Sequence, residues 1–288
     1  MTNCLGIFGF GYTARFLAEL CNKDDIALLG VSRNHDKPSV GPTPDYTPLP
    51  FSASALAQQR IQPTHILVST PPTETGDPTL NEFKNTLARQ ASTIQSIGYL
   101  STTGVYGDHQ GEWVDELSSS NNPGHRACMR LAAERSWIDF AKQHNVPLYI
   151  FRIAGIYGPY RNALSKLNKG MTTSILKEKQ VFSRIHVLDL ANAIKTALFQ
   201  PENAGIYNIC DNEPASNIVV DQFAATLLGI DPPRIIPIEQ ADLSPMAKEF
   251  YQANKRVSNA KLRATFKLSL AYPSFQEGLL DIFNKKQF

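Results

Sequence analysis

With 288 residues, 42% of them hydrophobic, the chain can bury a full core and hold one large α/β domain plus a smaller lobe, which excludes a disordered or fibrous protein. Charged residues make up 19% and the net charge is +2, so the sequence carries neither the basic footprint of a nucleic-acid binder nor a polybasic membrane segment, and no apolar run is long enough to span a bilayer. Cys4, Cys21, Cys128 and Cys210 form no CxxC pair and show no metal spacing. Reduced thiols, no metal site and a cytoplasmic setting are therefore expected, the more so because the first strand follows Met1 too closely for a signal peptide.

Residues 4–20, CLGIFGFGYTARFLAEL, predict one strand, a glycine turn and a helix. The turn reads GxGxxA at Gly9, Gly11 and Ala14. In a dinucleotide-binding βαβ unit the first glycine permits the tight turn, the second lets backbone N–H groups approach a pyrophosphate, and the third small residue lets helix pack on strand. Gly9, Phe10, Gly11, Tyr12 and Thr13 are thus expected at the cofactor. A second strand is expected at 26–32, ending Ser32-Arg33-Asn34 with no acid to bind a ribose 2′-hydroxyl. Arg33 with the Ser32 hydroxyl and Asn34 would instead attract a 2′-phosphate, so NADP(H) is the expected cofactor, with NAD as the alternative.

The proline-rich stretch 34–50 reads as a connection with at most a short edge strand. A short capped helix follows at 52–60, then a strand at 65–70, HILVST, whose end at Ser69, Thr70 and Pro71 should line the cofactor, because ligands lie outside the carboxyl ends of strands in open α/β sheets. A helix is expected at 81–95 and a strand at 98–102, running into YLSTTGVYGDHQGEWVDE. The VYG…VDE pattern resembles the short-chain dehydrogenase/reductase superfamily, in its extended branch of epimerases and dehydratases acting on nucleotide sugars. That resemblance implies that Thr102, three positions before Val105, donates a hydrogen bond to the reacting oxygen, with Tyr106 beside it.

In the same family a YxxxK pair lies on the next helix. Here the chain reads GHRACMRLAAERSW, which places Arg126 where tyrosine would stand and Arg130 where lysine would stand. Arg130 can still bind ribose hydroxyls, and Arg126 could hold an anionic substrate, but a guanidinium is no acid or base at ordinary pH. His125 and the tyrosines at 106, 157 and 160 are the titratable alternatives. The segment RIAGIYGPYRNAL resembles the family's RxxxxYGP element, which puts Tyr157, Tyr160 and Arg161 toward the substrate, and Arg184 could reach a diphosphate. FSRIHVLDLANAIKTAL resembles its HVxDxA segment, where Asp189 is expected as a helix-start acid and His186 as a buried hydrogen-bonding residue. A strand at 205–211 and a helix at 216–228 follow. Near the end, Lys255, Arg256 and Lys261 read as a solvated helix face, in a KRVSNAK stretch similar to atypical members of the branch.

The expected architecture is a Rossmann-like, doubly wound parallel α/β sheet. Residues 1–160 form the nucleotide-binding domain, which also uses about 186–200, and 161–288 form mainly a smaller C-terminal substrate lobe, with the substrate between the two. The resemblance implies an NADP(H)-dependent oxidoreductase or an epimerase/dehydratase-like protein acting on a nucleotide-linked sugar or related small molecule. The paired arginines leave a noncatalytic NADP(H)-binding sensor or scaffold as the alternative. A homodimer through the helices at 81–95 and 123–144 would follow the habit of the branch.

Overall fold

The apolar run at the start of the chain forms β1 (Cys4–Phe8), buried at all five positions, as a strand covered on both faces must be. A computed structural model of the chain describes residues 3–34 and 40–288, so the connection expected at 34–50 lies outside the described residues at 35–39. After β1 come α1 (Tyr12–Asn22), β2 (Ala27–Ser32), β3 (Thr47–Pro50), α2 (Ala53–Ala57), β4 (His65–Val68), α3 (Pro78–Gln90) and β5 (Ser96–Thr102). The middle of the chain holds β6 (Trp113–Val114), α4 (His125–His144), β7 (Leu148–Ile153), β8 (Gly155–Tyr157), α5 (Ala163–Asn168), β9 (Thr173–Leu176), β10 (Arg184–His186) and α6 (Val187–Leu198). The last third adds β11 (Gly205–Ile209), α7 (Asn217–Leu228), β12 (Arg234–Pro237), α8 (Pro245–Gln252), β13 (Arg256–Val257), α9 (Ala260–Phe266) and α10 (Phe275–Asn284).

Seven strands make the central sheet in the order β11-β7-β5-β4-β1-β2-β3. The β1–β2, β1–β4, β2–β3 and β4–β5 ladders are parallel. Strand alternation sorts the two faces. Cys4, Phe8, Ile66, Val68, Ile97 and Tyr99 share one buried cluster with Phe83 of α3 and Trp137 of α4. Gly98 points the other way, and a Cβ there would stand 3.0 Å from Leu198 of α6. Helices thus cover both faces, which is the doubly wound arrangement expected from the sequence. Each large apolar side chain so buried contributes about 1.5–3 kcal/mol.

Two expected boundaries are corrected. The helix expected at 81–95 begins at Pro78, because Asp77 caps it: its Oδ1 accepts from the N–H groups of Thr79 and Leu80 at 2.9 and 3.0 Å, and proline suits the first helical position. The helix expected at 52–60 is one turn and a half, Ala53–Ala57, with Ser52 at its start.

The chain divides into two compact units. Unit 1 comprises Met1–Thr102, His125–Arg152 and Leu190–Tyr207 and carries most of the central sheet. Unit 2 comprises Thr103–Gly124, Ile153–Asp189 and Asn208–Phe288. Within unit 2, three two-stranded parallel pairs, β8–β10, β9–β12 and β6–β13, accompany a cluster formed by Tyr157, Leu164 of α5, Ala224 of α7 and Phe275, Leu279 and Ile282 of α10.

Candidate functional site

In unit 1 the ends of β1, β2 and β4 converge. Gly9 N–H donates to Val31 O at 2.8 Å and Ser69 N–H to Phe8 O at 2.8 Å. Gly9 has φ +95°, and a Cβ there would press on the backbone of Ser69 and Thr70 at 3.0 Å. Only glycine fits both demands. Gly11 differs, since a Cβ at that position would meet no atom within 4 Å. It precedes α1 as its N-cap without a side-chain cap hydrogen bond, so the start of the helix carries the positive end of its dipole beside the space that the missing side chain leaves. Ala14 is buried, as close packing of helix on strand requires. A pyrophosphate fits such a cradle: a helix N-terminus with no side-chain cap and room for close backbone approach.

Around this cradle, Phe10 stacks on Tyr46 with ring centroids 3.9 Å apart, and Thr70 Oγ1 lies 2.8 Å from Thr79 Oγ1. Pro71 is exposed. At the end of β2 the Ser32 hydroxyl is occupied by its own turn, donating to Asn34 O at 3.1 Å and accepting from Asn34 N–H at 3.3 Å, while Arg33 is exposed.

Thr102 ends β5 and is half-buried. On α4, Arg130 is drawn to the same strand: Nη1 donates to Leu100 O at 2.6 Å, and the guanidinium lies 5.9 Å from the Tyr99 ring centroid. Arg126 is exposed, and His125 pairs at the surface with Glu74 at 3.5 Å.

In unit 2 the turn 103–106 is held from several sides. Tyr106 is buried and its hydroxyl donates to Asn208 Oδ1 at 2.7 Å. Lys255 Nζ donates to Gly107 O at 2.8 Å. Burial pushes this amine down to about 8, with Asp108 opposing the shift. Arg256 Nη1 donates to Gly111 O. The solvated helix face expected at 255–261 is therefore corrected: Lys255 and Arg256 precede α9 and bind the loop that follows the VYG segment.

Unit 2 also contains a cavity of about 500 Å³. Tyr157, Tyr160, Arg161 and Arg184 line it together, joined by four residues that the sequence did not single out: Lys166, Lys169, Asn217 and Asp221. Tyr157 is buried, with its hydroxyl donating to Ser274 O at 3.2 Å, and burial raises its pKa far above the ordinary phenol value. Arg184 is committed to the protein, with Nη1 donating to Phe182 O and Ala215 O at 2.8 and 2.7 Å and Nη2 to Asn217 Oδ1 at 2.7 Å. Outside the cavity, Asp189 sits in the first turn of α6 as expected, and its two oxygens also accept from the N–H groups of Ala271 and Tyr272 at 2.8 and 2.9 Å. His186 is buried, Nδ1 accepting from Leu188 N–H at 3.3 Å, and burial lowers its pKa to about 4. The signal for Asn217 and Asp221 was present, as two polar residues at i and i+4, on one face of a mainly apolar helix.

Among the described residues no group of three or more His, Cys, Asp or Glu could hold a metal ion, and no helix is long and apolar enough to cross a membrane.

The fold and the glycine cradle define a doubly wound α/β protein with a dinucleotide-type turn. Residues 85–210 match the model of the NAD dependent epimerase/dehydratase family. A functionally unknown conserved protein from Silicibacter pomeroyi DSS is 36% identical, with 100% of both chains covered and a TM-score of 0.87. The fold is shared with UDP-N-acetylglucosamine 4-epimerase from Bacillus cereus, at 16% identity and TM-score 0.75, covering 99% of this chain and 100% of that one. UDP-glucose 4-epimerase of Thermus thermophilus, solved as a complex with NAD, is 17% identical with TM-score 0.73, covering 98% and 99%. No curated protein matches the sequence. Over residues 85–210 the chain belongs to the NAD dependent epimerase/dehydratase family, and it shares its fold with the two 4-epimerases.

Proposed function

We propose that the chain is an NADP(H)-dependent oxidoreductase or epimerase acting on a nucleotide-linked sugar. The observation that carries the cofactor half is the cradle at Gly9 and Gly11, where open space coincides with a helix N-terminus that no side chain caps. A nicotinamide bound there supplies hydride transfer. Arg33, exposed directly after β2 in the run Ser32-Arg33-Asn34, favours a 2′-phosphate, so NADP(H) is the preferred form. Arg130 adds positive potential near the end of β5.

The substrate half rests on the unit 2 cavity. Its cations suit a diphosphate, and its aromatic rings suit a base. Thr102 is the hydroxyl expected to polarise the reacting oxygen. Proton exchange falls to a group other than Arg126, which cannot titrate, or Tyr106, whose hydroxyl is bonded to Asn208. Lys255, bonded to the turn after Thr102 and pushed down to about 8, can lose a proton near neutral pH.

The test is deuterium exchange. Purified protein with NADP⁺ is incubated with UDP-, dTDP- and GDP-linked sugars in deuterated water, with formation of reduced cofactor followed at the same time. Hydride or proton exchange with one sugar class is expected, and Thr102→Val should lower its rate by about 10²–10³-fold while leaving cofactor affinity unchanged. Tight cofactor binding without exchange on any sugar would overturn the catalytic reading in favour of a sensor.

A further inference from the structure

The unit 2 cavity is unevenly charged. Arg161, Lys166, Lys169 and Arg184 are the cations on its lining, of which the first three are exposed, whereas Asp221 is an acid only 8% exposed. Asp221 Oδ2 accepts from Ser174 Oγ at 2.6 Å. Among the described residues no further hydrogen bond reaches this carboxylate, and no cation lies within ion-pair distance of it. Burial raises its pKa, with Ser174, Lys166 and Arg184 opposing. Ser165 borders the same cavity, and its buried hydroxyl has no partner. One turn before Asp221 on the same helix, Asn217 is already spent, bonded to Arg184 and to Tyr251 OH at 3.0 Å. The lining therefore keeps a buried acceptor at Asp221 and a buried unpaired hydroxyl at Ser165.

A buried carboxylate repels phosphate, so the anionic end of a ligand belongs at the exposed cations and its donor-bearing end at Asp221. Two aromatic rings on the lining, Tyr160 and Phe250, are 45% and 52% exposed; Phe250 is already stacked on Phe182 with centroids 4.5 Å apart, so Tyr160 is the ring offered to a planar base. Tyr160 stands at φ +61°, a strained conformation for a bulky residue, held by its N–H donating to Gln287 O at 2.7 Å.

The bases differ in what they offer a carboxylate. Guanine presents an N1–H beside an exocyclic amine, two adjacent donors for two acceptor oxygens, whereas uracil and thymine flank their one N–H with two carbonyls that a carboxylate repels. We infer that Asp221 makes this cavity selective for an amino-bearing base, guanine first, against uracil and thymine. The inference rests on the reading of the substrate as nucleotide-linked and specifies its base.

Calorimetric titration with UDP, GDP and 2′-deoxy-GDP, in saturating NADP⁺, tests it on the wild-type protein and on Asp221→Asn. The wild type should bind GDP and 2′-deoxy-GDP at least about tenfold more tightly than UDP, and Asp221→Asn, which can still accept from Ser174, should lose that preference. Equal affinity for UDP and GDP overturns the inference while leaving the nucleotide-linked substrate standing. So does a preference that survives Asp221→Asn, or one lost with 2′-deoxy-GDP, which would place the ribose at the carboxylate. If NADP⁺ binds and no nucleoside diphosphate does, the nucleotide-linked reading itself falls. The wild-type ranking does not depend on how the variant folds.

Discussion

Asp211 follows β11 and is 2% exposed, with Oδ1 accepting from Glu213 N–H at 3.2 Å and Oδ2 buried without a partner. Burial pushes its pKa from 3.8 up to about 8, although Glu213 N–H and Arg184 favour the charged form. Because the folded pKa lies above the unfolded one, the folded protein holds a proton that the unfolded chain releases. The associated stability is complete below about pH 4 and is lost as pH rises through about 8. Thermal melts across pH 5–9 should show the wild type losing stability faster than Asp211→Asn, which should be the more stable of the two at pH 9; parallel curves would contradict the assignment. At this scale Gly9, Gly11 and Ala14 were readable, because backbone strain and close approach restrict residue type directly. Which polar groups are spent on the protein was not. Arg184 reads as a ligand-binding cation until Phe182, Ala215 and Asn217 are seen to occupy it, and Lys255 reads as surface until its bond to Gly107 O is found.

Three elements of unit 1 are tied by one buried carboxylate. Glu134 of α4 accepts from Ser101 Oγ of β5 at 2.5 Å and pairs with Arg152 of β7 through Nη2 at 2.8 Å and Nε at 3.3 Å. Both partners of this ion pair are largely excluded from water, so removing one strands the other. Arg152→Ala should cost about 3–5 kcal/mol in denaturant unfolding, and the double variant Glu134→Leu/Arg152→Met should recover most of it. A small loss for the single variant would show that solvent reaches the pair. This tie also fixes the end of β5, and with it Thr102. Apolar runs disclosed most strands of the central sheet to within two residues, since burial on both faces leaves an unbroken hydrophobic signature, whereas the short paired strands of unit 2 were not foreseen. The start of α3 was missed because Asp77-Pro78 is a capping signal that precedes the amphipathic pattern.

Across the whole molecule, the order of the central sheet follows from parallel βαβ connections that the glycine turn announces. The two compact units interleave three times along the chain, at segments such as 103–124 and 153–189 that carry little periodicity of their own, which is why the cavity could not be assembled from sequence alone. The proposed chemistry depends on the dinucleotide site at the start of α1. Fluorescence titration of the wild type, Arg33→Ala and Gly11→Val with NADPH and NADH tests it directly. The wild type should bind NADPH the more tightly, Arg33→Ala should lose about tenfold or more of that preference, and Gly11→Val, whose side chain fills the open space at the start of α1, should abolish binding of both without unfolding the protein. Binding of neither cofactor to the wild type, or undiminished binding to Gly11→Val, would contradict a dinucleotide site at this turn.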